Sequence, residues 1–168
     1  MRRTREIALA LVSGALLLAS PLPLRASEPI VADLDGRPIR TTEVGSHNCH
    51  DFEFPRIHCF ETVDALDLSV ARYGAGPLTA PAGVTYVRIW EHESYAGSSA
   101  YLSNNYADLG TIGWNDKITS FKSFNAQSGA FYEHNSYAGL VYSFCCNTSV
   151  WNVGGSYNDR FSSVRNLT

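Results

Sequence analysis

Two hexapeptides concentrate oxygen-bearing side chains: Asn115-Asp116-Lys117-Ile118-Thr119-Ser120 and Asn158-Asp159-Arg160-Phe161-Ser162-Ser163. Each offers two amide or carboxylate side chains, two spacers and two hydroxyls. Hard cations such as Ca2+ take about six to eight oxygen ligands from carboxylates, amides, hydroxyls, backbone carbonyls and water. Neither hexapeptide contains a thiol or an imidazole, and ligand hardness therefore selects Ca2+ over Zn2+. The same residue types also build ordinary Asx and Ser/Thr turns, so a single copy would be read as a turn.

There are two copies, and each follows the same upstream signature. Trp90-Glu91-His92-Glu93-Ser94-Tyr95-Ala96-Gly97 precedes the first, and Tyr132-Glu133-His134-Asn135-Ser136-Tyr137-Ala138-Gly139 precedes the second. The glycines are 42 residues apart and the hexapeptide asparagines 43, so one residue separates the two spacings of an internal duplication. Glycine permits a backbone turn at positive φ, and the two aromatics can fold over that turn. Taken alone, the aromatics and glycines describe a tight hairpin with buried rings.

The elements that must position the hexapeptides are short and rich in Tyr, Phe, Val, Ile and Ser from Val84 onward, an all-β texture. Strands are expected near 85–92, 98–104 and 117–124 in the first repeat, with a looser one before Trp114. The second repeat matches with 129–134, 140–146 and 160–167, and Val150–Val153 as the looser strand. Four short strands per repeat make one Greek key, and two keys pack as a small sandwich. Apolar residues fall every third position at Ile118, Phe121 and Phe124, and again at Phe161, Val164 and Leu167. That spacing fits a bulged or twisted strand leaving a loop better than plain alternation.

The coupled signature and hexapeptide resemble the βγ-crystallin superfamily. In that family each Greek key carries an aromatic, four residues, an aromatic, one residue and Gly. Its calcium-binding members add Asn/Asp, Asn/Asp, two variable positions, Ser/Thr and Ser. Both keys here match in full, and the resemblance covers about residues 84–168. It implies an all-β double Greek-key sandwich with two Ca2+ sites, each shared between keys. Asp116 and Asp159 would give side-chain oxygens, and Lys117 and Arg160 backbone carbonyls. Thr119 and Ser162 would reach into the partner site through their hydroxyls, and Glu91 and Glu133 would supply further carbonyls. Asn115 and Asn158 would shape the loops. With about one carboxylate per site, affinity is expected in the micromolar to millimolar range of extracellular modules. The ion would stabilise the fold rather than act as a signal.

Upstream, residues 27–83 share none of this pattern. Leu34-Asp35-Gly36-Arg37-Pro38 signals a turn, and Glu61–Arg72 is expected as a short helix with Val63, Leu66 and Val70 on one side. The run from Tyr73 to Gly83, rich in Gly and Pro, marks a boundary before the keys at about 84–126 and 127–168. Met1-Arg2-Arg3-Thr4-Arg5, an apolar run from Ile7 to Ala19 and the stretch ending at Ser27 have the order of a secretory signal peptide with cleavage near Ala26. The apolar run is short for a bilayer span and two prolines break its far end, so a secreted product without a membrane span is expected, extracellular or periplasmic.

Removal of Arg2, Arg3, Arg5 and Arg25 against Glu6 leaves 9 basic and 15 acidic residues, a net charge of −6. No basic patch marks nucleic acid as a partner, and a cation is the more natural ligand. A monomer is expected. Cys49, Cys59, Cys145 and Cys146 suit an oxidising compartment and allow three pairings. Crosslinks from Cys49 and Cys59 to the adjacent pair are favoured, with a local Cys49 to Cys59 bridge as the competitor. His47, His50 and His58 beside Cys49 and Cys59 fit no standard zinc finger spacing. No orienting group marks a Cys/His nucleophile, so no enzyme is expected. The alternative function is an extracellular metallopeptidase inhibitor, because a family of secreted bacterial inhibitors looks like the same fold. Those inhibitors carry cysteines near the start of the domain, whereas none lies between Val84 and Phe144 here. A third reading makes the N-terminal segment a pro-region or a means of attachment to a surface partner.

Overall fold

The computed structural model describes residues 28–73 and 84–167; the expected signal peptide lies outside the described residues. The N-terminal part runs β1 (Val31–Leu34), β2 (Arg37–Ile39), β3 (Asn48–Glu53), β4 (Arg56–Phe60) and α1 (Val63–Arg72). The first repeat contributes β5 (Tyr86–His92), β6 (Ala96–Leu102) and β7 (Ser120–Phe124). The second contributes β8 (Ser128–His134), β9 (Ala138–Phe144), β10 (Ser149–Val150) and β11 (Ser163–Leu167).

Two sheets face each other. One runs β10-β7-β5-β6-β3-β4-β1-β2 and the other β11-β8-β9. A short segment of each repeat pairs with the other repeat's sheet. From the second repeat, β10 pairs with β7 through Ser149 and Lys122. From the first, Tyr106 forms an antiparallel bridge with Val164 of β11. Where a looser strand is expected before Trp114, the chain instead forms a 3-10 turn over Leu109–Ile112. Asp108 caps that turn by accepting from the Gly110 N–H at 2.7 Å, and Gly113 ends it at φ 70°. A glycine in the left-handed region stops a helical turn without steric cost.

The apolar spacing of three now has a cause. Phe121 and Phe124 are three residues apart on β7 and therefore point to opposite faces. Phe121 enters the inter-sheet core, 5.1 Å from Phe131 between ring centroids. Phe124 turns outward onto Tyr86 at 4.9 Å, in a second cluster with Leu66 and Val70 of α1. The helix thus covers part of the outer face of the first sheet. Thr62 supplies the cap of α1, accepting from the Ala65 N–H at 3.2 Å. Val63, expected on the apolar side, is 40% exposed.

Residues 28–73 continue the first sheet. β3 pairs in parallel with β6 at Asn48–Ser99, Cys49–Ala100 and His50–Tyr101. Cys49 and Cys59 stand opposite each other on β3 and β4 and form a disulfide, so the expected crosslinks to Cys145 and Cys146 are not made; those two are bonded to each other. Direct pairing of β3 with β4 sets the Cys49 and Cys59 Cα atoms 4.0 Å apart, which leaves no reach to a distant partner. Two polar ties complete the join. The Asp51 carboxylate, fully buried, accepts from the Ser103 N–H and hydroxyl, the Asn104 N–H and the Tyr106 hydroxyl. Burial pushes its pKa up against those hydrogen bonds. Arg88 stacks on Trp90 and Tyr101 and meets Asp67 of α1 at 3.1 Å.

Candidate functional site

Both signature hairpins fold in the same way. Ser94 and Tyr95 take φ of 56° and 63°, and Ser136 and Tyr137 take 59° and 62°. Gly97 and Gly139 follow at 80° and 82°. The aromatic pairs close over these turns edge to face, Trp90 with Tyr95 at 5.1 Å and Tyr132 with Tyr137 at 5.7 Å. A Cβ on Gly97 would lie 2.9 Å from the His92 ring, and one on Gly139 would lie 2.8 Å from the His134 ring. The paired histidines pack against the glycines.

The last serine of each hexapeptide is the residue that sequence reasoning left without a role. Ser120 is fully buried; its hydroxyl donates to the His92 carbonyl at 2.6 Å and accepts from the Tyr95 N–H at 3.2 Å. Ser163 repeats this with His134 at 2.7 Å and Tyr137 at 3.1 Å. Each serine therefore pins its own repeat's folded hairpin to the following strand. The recurrence of Ser at both sixth positions was the available signal, but the backbone partners lie 25 to 29 residues away.

Most of the remaining polar hexapeptide residues meet in two clefts between the repeats, whereas Asn115 lines neither. One is lined by Glu91, Lys117, Thr119, Asn158 and Asp159, and the other by Glu133, Arg160 and Ser162. Asp116 and Asp159 line both. The Thr119 hydroxyl donates to Asp159 Oδ1 across the repeats at 3.3 Å. Asp116 and Asp159 sit at φ of 55° and 51°, and the Asp116 N–H donates to the Phe161 carbonyl of the other repeat at 3.0 Å. Asn115 and Asn158 each donate from the side-chain amide to the next aspartate, at 2.6 and 2.7 Å.

The third-position cations differ. Lys117 Nζ donates to the Gly45 carbonyl at 3.1 Å and lies 3.8 Å from Glu91 Oε1. Arg160 pairs with the Glu133 carboxylate and donates to the Ser156 carbonyl at 3.3 Å. The Leu140 N–H, with Arg160 beside it, holds the Glu133 carboxyl below the usual range. Glu93, which sequence reasoning did not single out, also lines the first cleft and accepts from the Asn152 side chain at 2.9 Å.

Among the described residues, no group of three or more His, Cys, Asp or Glu is placed to hold a metal ion. Two of the N-terminal histidines have other partners. His58 lies between Asp33 and Glu53 at 3.0 Å each, and His50 meets the Ser69 hydroxyl at 3.1 Å. The clefts offer a different donor set, in which carboxylate, hydroxyl and backbone carbonyl oxygens mix. Two oxygens bound at right angles to one Ca2+ would stand about 3.4 Å apart on ligand radii of about 2.4 Å. The 3.3 Å between Thr119 and Asp159 fits that spacing.

No family model matches the chain, and no curated protein matches it. Solved structures do. A βγ-crystallin domain from Clostridium beijerinckii is 26% identical over 49% of this chain and 97% of its own, with a TM-score of 0.44. A double mutant of clostrillin in complex with nickel is 25% identical over 49% and 98%, with a TM-score of 0.45. A βγ-crystallin from an archaeon is 24% identical over 51% and 100%, also at 0.45. On the chain's own strand order, cross-paired segments, folded hairpins and paired hexapeptides, its C-terminal half is an all-β double Greek key, a βγ-crystallin-like fold.

Proposed function

We propose that this protein is exported and binds calcium in the two clefts, and that the ions stabilise the fold. The observation that carries the reading is the Thr119–Asp159 contact, which brings oxygen ligands from different repeats within the spacing of neighbouring calcium ligands. Asp159 and Thr119 with the Glu91 carbonyl would hold one ion; Asp116 and Ser162 with the Glu133 carbonyl would hold the other. The carbonyls of Lys117 and Arg160 complete the sets, while their side-chain cations are engaged by Gly45 and Glu91 in one case and by Glu133 and Ser156 in the other. Asn115 and Asn158 orient the aspartates. The ions join loops of both repeats and favour the folded state by RT ln(1 + [L]/Kd), about 2.7 kcal/mol at a hundredfold excess over Kd.

Titration of Ca2+ into the mature protein, followed by melting temperature and tryptophan fluorescence, tests this reading. Trp90 and Trp151 both flank the first cleft, their carbonyls accepting from the Thr119 and Ser94 N–H groups. Both are expected to report binding. An intact fold with no response at millimolar calcium would refute the proposal. Mass measurement of the secreted product, with a new N-terminus expected near Ser27, tests export.

A further inference from the structure

The hexapeptides are duplicates, but the turns that deliver them meet unlike surroundings. Gly113 lies two residues ahead of Asn115, and a Cβ there would stand 2.1 Å from the Thr42 carbonyl oxygen. A Cβ on Gly45 would stand 1.9 Å from the Gly113 carbonyl oxygen. Two backbone segments touch here with no room for a side chain on either. The contact is doubled two residues past Asn115, where Lys117 Nζ reaches the Gly45 carbonyl at 3.1 Å. Trp114, between these two grips, is fully buried. Ahead of the second hexapeptide the situation is reversed. A Cβ on Gly154 or Gly155 would meet nothing within 4 Å, and residues 154–156 are exposed. The turn there closes on itself, with the Tyr157 and Asn158 N–H groups both donating to the Gly154 carbonyl at 2.9 Å.

We propose that Gly45 is a positioning residue for the first hexapeptide: the N-terminal segment holds the loop of Asp116 in place, while the loop of Asp159, held by contacts within the repeats, gains more of its order from the ion. The inference rests on the calcium reading above and makes its two sites unequal. A ligand held in its bound geometry beforehand spares the ion the cost of ordering it. Duplication supplies matching ligands, and a segment outside the duplication distinguishes them.

Two measurements test this. In the calcium-free wild-type protein, amides 113–118 are expected to exchange about tenfold or more slowly than amides 156–161, as local opening is suppressed where backbone packs on backbone. Calcium should then slow the second set more than the first. In the second measurement, Gly45→Ala is placed on Asp159→Asn, which leaves the site fed by Asp116, and on Asp116→Asn, which leaves the other. Calorimetric titration with Ca2+ should show about tenfold weaker binding in the first background, the lower end for outer-shell partners of metal ligands, and less than about twofold change in the second. Equal exchange in the two loops, or equal weakening in both backgrounds, would overturn the inference. Should Gly45→Ala fail to fold, the exchange comparison on the wild type decides alone. A wild type that ignores calcium would remove the proposed function, and the calcium-free exchange rates would still decide the role of Gly45.

Discussion

Replacing Ser120 by alanine removes two hydrogen bonds from a fully buried hydroxyl, one to the His92 carbonyl and one from the Tyr95 N–H. Each bond contributes about 0.5–1.5 kcal/mol net, and each buried group left without a partner costs about 1–3 kcal/mol. His92 is exposed, so water can reach the region of its carbonyl and the sum falls towards the lower end, about 2–3 kcal/mol. That is a large share of a total stability of about 5–15 kcal/mol. Ser163→Ala is an internal replicate, because its distances to His134 and Tyr137 match those of Ser120 within about 0.1 Å. Urea unfolding of both variants at fixed protein concentration, in chelator and in calcium, measures the loss. It should be larger in calcium, since a loosened hairpin also misplaces the Glu91 or Glu133 carbonyl. A loss below about 0.5 kcal/mol in both variants, the range of an ordinary surface change, would refute the account of the serines as clamps.

Thr119→Arg should abolish the site that uses Asp159 and Ser162→Arg the site that uses Asp116, each reducing calcium stoichiometry by one in calorimetry; loss of the ion from the mutated loop's own aspartate, seen by NMR, would contradict the exchange. His50 is pulled down to about 4 by burial, with the charge of nearby His58 adding to the shift. Its contribution is therefore whole above the unfolded value near 6.5 and is lost as pH falls towards 4, up to about 3 kcal/mol. Asp51, pushed up by burial, contributes in the opposite sense, so the test is the difference between wild type and His50→Gln on the acid limb of a stability profile. Reduction of Cys49–Cys59, whose partners are 10 residues apart, should cost about 2–3 kcal/mol in urea unfolding by loop entropy.

Local features carried the readable part of the structure. The folded hairpins depend on residues within eight positions of one another, from Trp90 to Gly97 and from Tyr132 to Gly139, so their rings and glycines show in the sequence directly. The helix was legible from Leu66 and Val70, and Thr62 caps it through the Ala65 N–H. The contacts that join segments leave no such trace. β3 meets β6 in parallel with about fifty residues between partners, and nothing in Asn48-Cys49-His50 names Ser99 or Ala100 as neighbours. Hence the cysteine pairing was misjudged: it follows from the antiparallel register of β3 and β4, in a stretch that offers few alternating apolar residues. Asp51 was equally hidden, since an acidic residue reads as exposed until Ser103, Asn104 and Tyr106 surround it.

The pairing of β10 with the first repeat's β7, and of Tyr106 with the second repeat's β11, has a consequence for how the C-terminal half can be divided. A cut at the turn over 125–127 would give two fragments, each lacking a segment that pairs with its own sheet. Each would also hold an incomplete set of oxygens for either cleft, for Asp159 would be parted from Thr119 and Asp116 from Ser162. Complementation of the two fragments would therefore restore strand order and ion coordination in one step, and calcium would act as the glue of a split protein rather than as an ornament on a finished one.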